Sequence, residues 1–188
     1  MAWLVAGLGN PGERYAKTRH NVGAMVADLL VAEAAERFRK VRFIHLDVAE
    51  VRLDEEVVYL ATSHRYMNEA GPSYASFAKK RSVGADHLIA VHDDIDLAFG
   101  ALKVKLGGSS AGHNGLKSLG QALGTQDYLR VRIGVGRPPG RQDPADFVLE
   151  PFAKREIDEI GVVISEAADA VESLIRDGLE PTQNSFSQ

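Results

Sequence analysis

His20 is the side chain best placed to do chemistry in this sequence. It follows an apolar segment at residues 4–6 and a glycine-rich turn, and it stands at the start of an amphipathic helical pattern. An imidazole has an ordinary pKa of about 6.5, so its neutral form is available at pH 7 to take a proton from water. We therefore expect a site at this strand-to-helix junction, with Asn10 and Asn21 nearby. A histidine that only caps a helix is the alternative.

An acidic cluster supplies the second group that could do chemistry. Asp93, Asp94 and Asp96 follow the apolar segment 88–91, which predicts a central strand ending at the acidic residues. Sites in open α/β sheets form at that edge. A carboxylate there can hold a histidine in one tautomer and stabilise its imidazolium form, and Asp93 is closest to the strand. Turn or helix-capping aspartates would have the same pattern.

Three asparagines offer hydrogen bonds but cannot act as bases. Asn10, Asn68 and Asn114 each carry an amide that can orient a carbonyl group or a water, or donate to an oxyanion. Two of them also have an ordinary structural explanation, because Asn10 precedes Pro11 and Asn114 precedes Gly115, and both pairs are typical of turns. Asn68 lacks that explanation.

A dinucleotide site is a weaker interpretation of the first glycine-rich turn. Gly7, Gly9 and Gly12 match the GxGxxG pattern, but Pro11 lies inside it and the helix begins only after a further loop. Asp28 lies at a suitable distance, yet within a helix. An NAD-dependent oxidoreductase is therefore disfavoured.

Two other site types are possible around His113. Ser109 or Ser110 could be a nucleophile with His113 as its base, although no GxSxG elbow is present. His92 and His113 beside the aspartates could ligate a divalent ion, but no fixed ligand spacing supports it. We predict neither a metal nor a cofactor.

Basic residues are concentrated on two predicted strands. Lys103 and Lys105 share one face of the first, and Arg130 and Arg132 share one face of the second. The formal net charge of −4 argues against indiscriminate coating of nucleic acid, yet a local patch could bind RNA phosphates. Tyr15 could stack on an unpaired base. Solvated strand faces are the simpler alternative.

The elements that position these residues alternate between strands and helices. We predict one domain over residues 1–188, a three-layer α/β/α sandwich on a mixed, mainly parallel twisted sheet. The predicted strands are at residues 4–6, 43–53, 57–62, 88–91, 101–106 and 128–136. The predicted helices run from 22 to about 40, onward from 72, from 116 to 123 and from 153 to 177, with a loop at 137–146 and a mobile tail at 179–188.

The cellular setting is constrained by composition. The 188 residues include no cysteine, which excludes disulfides and thiolate metal sites and fits a reducing cytoplasm. The apolar N-terminal run stops at a Gly/Pro turn and has no basic residues before it, so it predicts a strand and not a signal peptide or membrane span.

Six sequence blocks carry a resemblance to a known family. GLGNPG, TRHNVG, YMNEAG, HDDIDLAFG, GGSSAGHNGLKSL and RVRIGVGRP occur in order. Over about residues 4–152 the sequence resembles the bacterial peptidyl-tRNA hydrolases in the order and spacing of these blocks. The resemblance implies a monomeric, metal-independent carboxylic ester hydrolase that cleaves peptide from tRNA released prematurely by ribosomes. The implied partner is peptidyl-tRNA, through its acceptor stem and 3′ end, with no DNA and no membrane.

Residue roles follow from that resemblance. His20 is implied as the catalytic base, Asp93 as its orienting carboxylate and Asn10 as a third catalytic residue. The implied substrate and tRNA contacts are Tyr15, Met67, Asn68, Asn114, Lys103, Lys105 and Arg132. The sequence departs from the family around the YMN block, where Glu69 and Ala70 replace an apolar residue and a serine. A noncatalytic RNA-binding scaffold of the same fold is the alternative.

Overall fold

A seven-stranded mixed sheet forms the centre of the computed structural model, which describes residues 1–186. The strands are β1 (Ala2–Gly7), β2 (Arg39–Val41), β3 (Leu46–Leu53), β4 (Glu56–Ser63), β5 (Leu88–Asp94), β6 (Leu102–Leu106) and β7 (Leu129–Gly134). Their order is β2-β3-β4-β1-β5-β7-β6. The pairings among β4, β1, β5 and β7 are parallel, and those of the outer strands β2, β3 and β6 are antiparallel.

Six α-helices, all within the described residues 1–186, cover the two faces of this sheet. They are α1 (Val22–Glu33), α2 (Gly71–Lys80), α3 (Asn114–Leu123), α4 (Pro144–Val148), α5 (Ile157–Asp177) and α6 (Leu179–Phe186). The core of one face includes α1 and α5 with Trp3 and Val5 of β1, whereas that of the other includes α2 and α3 with Leu4 and Ala6. Both faces of β1 are therefore buried, which explains its unbroken apolar sequence. The predicted α/β/α sandwich is confirmed.

Most of the strands predicted from the sequence are present in the structure. The hairpin of β3 and β4 turns at Asp54, whose φ of 56° suits a tight turn. β5 extends to Asp94, so Asp93 lies within its C-terminal end. Within residues 1–186, no helix combines the length and apolar composition that crossing a membrane requires.

The first helix is shorter than predicted. We expected it to continue to about residue 40, but α1 ends at Glu33. Ala35 adopts a φ of 53°, and the N–H of Glu36 donates to the carbonyl of Val31, which closes the helix. The chain then forms β2 along the free edge of β3. Strand pairing and core contacts therefore override the helical pattern of this segment.

The C-terminal third also differs from the prediction. The end of the predicted loop 137–146 begins α4, because Asp143 accepts a hydrogen bond from the N–H of Ala145 and caps the helix. Residues 179–186, expected to be mobile, form α6, where Thr182 is buried and Gln183 donates to the carbonyl of Val104. The same expectation for Ser187 and Gln188 lies outside the described residues.

Gly23 allows α1 to begin against the carboxyl end of β5. A Cβ atom at Gly23 would lie 2.0 Å from the carbonyl oxygen of Val91 and 2.9 Å from the backbone nitrogen of Leu8. Only glycine fits such a backbone approach. This contact fixes the start of the helix, and therefore His20, beside the strand that carries Asp93.

We predict that Gly23→Ala lowers the free energy of unfolding by about 2 kcal/mol or more, because backbone atoms of two strands must move. Gly161→Ala is the matched control. No heavy atom lies within 4 Å of a Cβ at Gly161 in α5, so removing a helical glycine there should stabilise the protein by about 0.5–1 kcal/mol. Urea unfolding of both variants tests this, and equal stabilities would contradict it.

Candidate active site

A cleft of about 430 Å³ opens at the carboxyl edge of the parallel strands. Of the ten predicted site residues, nine line it and Lys103 does not. The nine are Asn10, Tyr15, His20, Met67, Asn68, Asp93, Lys105, Asn114 and Arg132. Residues from distant parts of the sequence therefore meet at one edge of the sheet, as is usual for sites in α/β folds.

His20 and Asp93 form a direct hydrogen bond. His20 lies in a short 3-10 turn, Arg19–Asn21, that leads into α1, and its Nδ1 is 2.8 Å from Oδ2 of Asp93. A carboxylate can only accept here, so Nδ1 carries the proton and Nε2 is the nitrogen with a free lone pair. The His20 side chain is 13% exposed and lines the cleft, which makes Nε2 the available basic atom.

His113 contacts the other oxygen of the same carboxylate. Its Nε2 is 2.8 Å from Oδ1 of Asp93, while its Nδ1 accepts the N–H groups of Gly115 and Leu116 and caps α3. An accepting Nδ1 leaves Nε2 as the donor, so the tautomer of His113 is fixed by the helix start. Sequence reasoning missed this role. A histidine just before a predicted helix suggests a cap, but its contact with Asp93 requires the folded chain.

Burial and charge set the protonation states of His20 and Asp93. Burial alone lowers the pKa of His20, but the charge and hydrogen bond of Asp93 outweigh it and raise the pKa above the ordinary value of 6.5. Burial alone would raise the pKa of Asp93, yet the adjacent imidazoles hold it well below its usual range. Asp93 therefore stays ionised while His20 titrates.

His92 stays neutral behind this pair. Burial, the largest cause, and the neighbouring His113 together lower the pKa of His92 to about 3. Its Nδ1 lies 2.8 Å from the carbonyl oxygen of Asp93, which accepts the ring proton. His92 thus contributes no charge to the cleft at neutral pH.

Asn10 is oriented by a ring of hydrogen bonds. Its backbone N–H donates to Oδ1 of Asn21, and Nδ2 of Asn21 donates back to its carbonyl. The side-chain Oδ1 of Asn10 accepts the N–H of Met67 at 2.6 Å. This bond fixes the orientation of the amide, so the two N–H groups on Nδ2 are the donors that Asn10 can offer to a bound molecule. The orienting role of Asn21 was suggested in the sequence only by its proximity to His20.

The remaining predicted polar contacts lie at the rim. Asn68 follows Met67 in a short 3-10 turn, Asn114 is the first residue of α3, and both side chains are exposed in the cleft. Tyr15 packs edge-to-face against Tyr66, with ring centroids 6.1 Å apart. These two aromatic rings form one side of the cleft mouth, next to the two exposed amides.

The basic residues divide into two groups. Arg130 is buried, and its guanidinium donates to the carbonyls of Gly108 and Ser109, so it anchors the glycine-rich loop and does not belong to a surface patch as predicted. Lys103 is exposed opposite Arg132 on β6 and β7, and Arg132 pairs with Asp94 at 3.0 Å.

Lys105 lines the cleft together with Arg130 and Arg132. Burial, followed by the charges of Arg132 and Arg130, lowers the pKa of Lys105. A lysine that repels its cationic neighbours gains from an anion placed beside it, because the added negative charge relieves that repulsion. The exposed rim at β6 and β7 is thus an anion-attracting edge of a cleft in an otherwise acidic protein.

A metal ion is the other group that these residues could hold. Among the described residues, His20, Asp93 and His113 bring ligand atoms within 4.8 Å of one another. Two imidazoles and a carboxylate suit zinc or a similar ion. In the structure each imidazole donates one hydrogen bond to Asp93, so both oxygens of that carboxylate have an N–H partner.

A carboxylate-oriented histidine in a sheet-edge cleft is suited to general-base chemistry. The family model described as peptidyl-tRNA hydrolase matches residues 4–188, and the chain belongs to this family of hydrolases. Peptidyl-tRNA hydrolase of Mycobacteroides abscessus is 54% identical over 183 residues, covering 97% of this chain and 93% of that protein. Its counterpart from Nocardia farcinica is 53% identical over 181 residues, covering 96% and 94%.

A solved structure agrees in fold over nearly the whole chain. The crystal structure of peptidyl-tRNA hydrolase from Acinetobacter baumannii superposes with a TM-score of 0.91 at 28% identity and covers 97% of this chain and 93% of that one. The α/β fold and the assignment to an enzyme family, both predicted from the sequence, are confirmed.

We predict that kcat/KM rises with pH through a midpoint above 6.5, because only neutral His20 can act as a base and Asp93 raises its pKa. Asp93→Asn removes that charge while burial remains, so the midpoint should fall below 6.5 and the rate by about 100-fold or more. The matched control is Asp47→Asn, since Asp47 pairs with His64 outside this cleft. An unchanged midpoint in Asp93→Asn would contradict this assignment.

Proposed function

We propose that this hydrolase cleaves the ester between peptide and tRNA with His20 as general base. The observation that carries the proposal is the 2.8 Å bond between His20 Nδ1 and Asp93, which leaves Nε2 basic in the cleft. Family membership supports peptidyl-tRNA as the substrate. The biological result is recycling of tRNA that leaves the ribosome before synthesis is complete.

The proposed reaction begins with a water held at Nε2 of His20. The imidazole takes one proton as the water oxygen attacks the ester carbonyl carbon, and Asp93 stabilises the imidazolium that forms. Collapse of the tetrahedral intermediate breaks the bond to the ribose oxygen. His20 then returns its proton to that oxygen, which releases tRNA with a free hydroxyl. The peptide leaves as a carboxylic acid and loses the second proton of the water to solvent, which gives the carboxylate.

The asparagines act on the acyl group in this scheme. Asn10 presents N–H groups because its oxygen already accepts from Met67, so it suits the carbonyl oxygen as negative charge develops. Asn68 and Asn114 lie exposed across the cleft and orient the peptide amide and the water. All three polarise and position, while His20 alone moves the proton.

Basic residues at one rim hold the RNA. Lys105 and Arg132 line the β6–β7 end of the cleft, and Lys103 lies opposite Arg132 just outside it. These three cations would contact phosphates of the acceptor stem. Tyr15 would stack on the unpaired 3′ end. With a net charge of −4, the protein confines its attraction for RNA to this edge. We also propose that the chain is a monomeric single domain and that it acts in the cytoplasm.

We expect His20→Ala to lose about 10² to 10⁴ of the rate at which N-acetyl-aminoacyl groups are released from tRNA, while it still binds the RNA. His64→Ala is the matched control, because His64 pairs with Asp47 at 2.7 Å but lies outside the cleft. Its rate should equal that of the wild type, and EDTA should change neither rate.

Three results of this assay would overturn parts of the proposal. RNA binding without release by the wild type would indicate a noncatalytic scaffold. Full activity of His20→Ala would remove the general base. Loss of release in EDTA, restored by a divalent ion, would assign the cluster of His20, Asp93 and His113 to a metal.

A further inference from the structure

Arg19 precedes the proposed base but points away from it. Its side chain is 5% exposed, whereas His20 lines the cleft. Nη1 donates to the carbonyl of Phe147 at 3.0 Å and Nη2 donates to Oε1 of Glu156 at 2.8 Å. The guanidinium also lies 3.9 Å from the ring centroid of Phe147. One buried cation therefore makes two hydrogen bonds and a ring contact to a segment about 130 residues away.

The backbone next to Arg19 adds to this connection. The N–H of Arg19 donates to the carbonyl of Glu150, and the N–H of Phe152 donates to the carbonyl of Lys17. An isolated β-bridge joins Thr18 to Pro151. The segment before His20 thus runs antiparallel to residues 150–152, and the guanidinium extends the attachment on both sides of that bridge.

The attached segment forms an apolar wall of the cleft. We call Pro144, Ala145, Val148 and Leu149 the apolar wall, since all four line the cleft beside His20. On its N-terminal side the wall follows the loop at residues 135–143, which itself contains no helix or strand. On its other side lies Glu156, whose Oε1 also accepts the N–H of Ala153, just before the 3-10 turn Lys154–Glu156 that leads into α5. Arg19 therefore attaches the wall to the sheet-edge site.

The chemistry of the wall indicates what it contacts. The tRNA end of the substrate carries phosphates and sugars, which match the basic rim, and bases, to which the proposed function assigns Tyr15. The aliphatic groups of the substrate are the amino-acid side chains of the peptide. An apolar wall beside the reacting ester suits the side chain of the residue esterified to tRNA. Its distance from His20 would then decide how well that side chain is bound during hydrolysis.

We propose that Arg19 is a positioning residue for the acyl group: through Glu156 and the Phe147 carbonyl it fixes the apolar wall at a set distance from His20. This inference rests on the proposed function. Arginine is required because its planar guanidinium can serve two acceptors and stack on a ring at once. A lysine would keep the charge but could not make all three contacts.

The test compares Arg19→Lys with the wild type on N-acetyl-phenylalanyl and N-acetyl-glycyl esters of one tRNA. We expect the preference for the phenylalanyl ester in kcat/KM to fall by about tenfold, mainly through KM, as for a lost apolar contact. The pH midpoint should not move, because the bond between His20 and Asp93 is intact. Backbone amide exchange of residues 146–150 should become faster, since Arg19 no longer restrains the wall.

Arg176→Lys is the matched control. Arg176 pairs with Asp54 at 2.9 Å on the surface of α5, outside the cleft, so its kinetics and the exchange of residues 146–150 should match the wild type. If Arg19→Lys does not fold, Glu156→Gln removes the charge and keeps both acceptor contacts. It should change the preference and the exchange in the same direction by a smaller factor.

Two results would overturn the role of Arg19. An equal loss of kcat for both esters with unchanged exchange at 146–150 would mean that Arg19 acts on His20 instead. A lower melting temperature with neither preference nor exchange altered would mean that it serves stability alone. Failure of the wild type to release either acyl group would contradict the proposed function, whereas the exchange measurement tests the link between Arg19 and the wall independently.

Discussion

Both carboxylate oxygens of Asp93 accept a hydrogen bond from an imidazole, and the rest of the site depends on this buried charge being satisfied. An isolated carboxylate at this depth would be costly to bury, and two N–H donors offset that cost. Each donor in turn requires a particular backbone element. His20 needs the turn before α1, and His113 needs the start of α3.

The fold meets those requirements through a few close contacts. β5 carries Asp93 to the sheet edge, Gly23 lets α1 start against that strand, and backbone N–H groups of α3 fix the tautomer of His113. Arg130 and Arg19 are buried cations that each hold one segment lining the cleft. Stability and function are therefore coupled here, because the contacts that join these elements also orient the side chain of His20.

The strands other than β2, and the meeting of His20 with Asp93 at a sheet edge, could be predicted from the sequence. Apolar segments between glycine-rich turns mark buried parallel strands, and polar residues at strand ends mark a site. The end of α1 could not be predicted, because β2 forms only where β3 offers a free edge. Nor could the burial of Arg130, because its carbonyl partners lie in a loop brought near only by the fold. The sequence shows that a strand carries an arginine or a lysine. Only the folded surroundings decide whether that side chain is free to bind RNA or is held by a loop.

The most direct measurement of the central claim is the ¹⁵N chemical shifts of the imidazole nitrogens, recorded above the pH midpoint of activity. The account predicts that His20 carries its proton on Nδ1 and that His113 carries its proton on Nε2, both donated to Asp93. In Asp93→Asn the preference of His20 for Nδ1–H should weaken. A wild-type His20 protonated on Nε2 would contradict the account, because no basic nitrogen would then face the substrate.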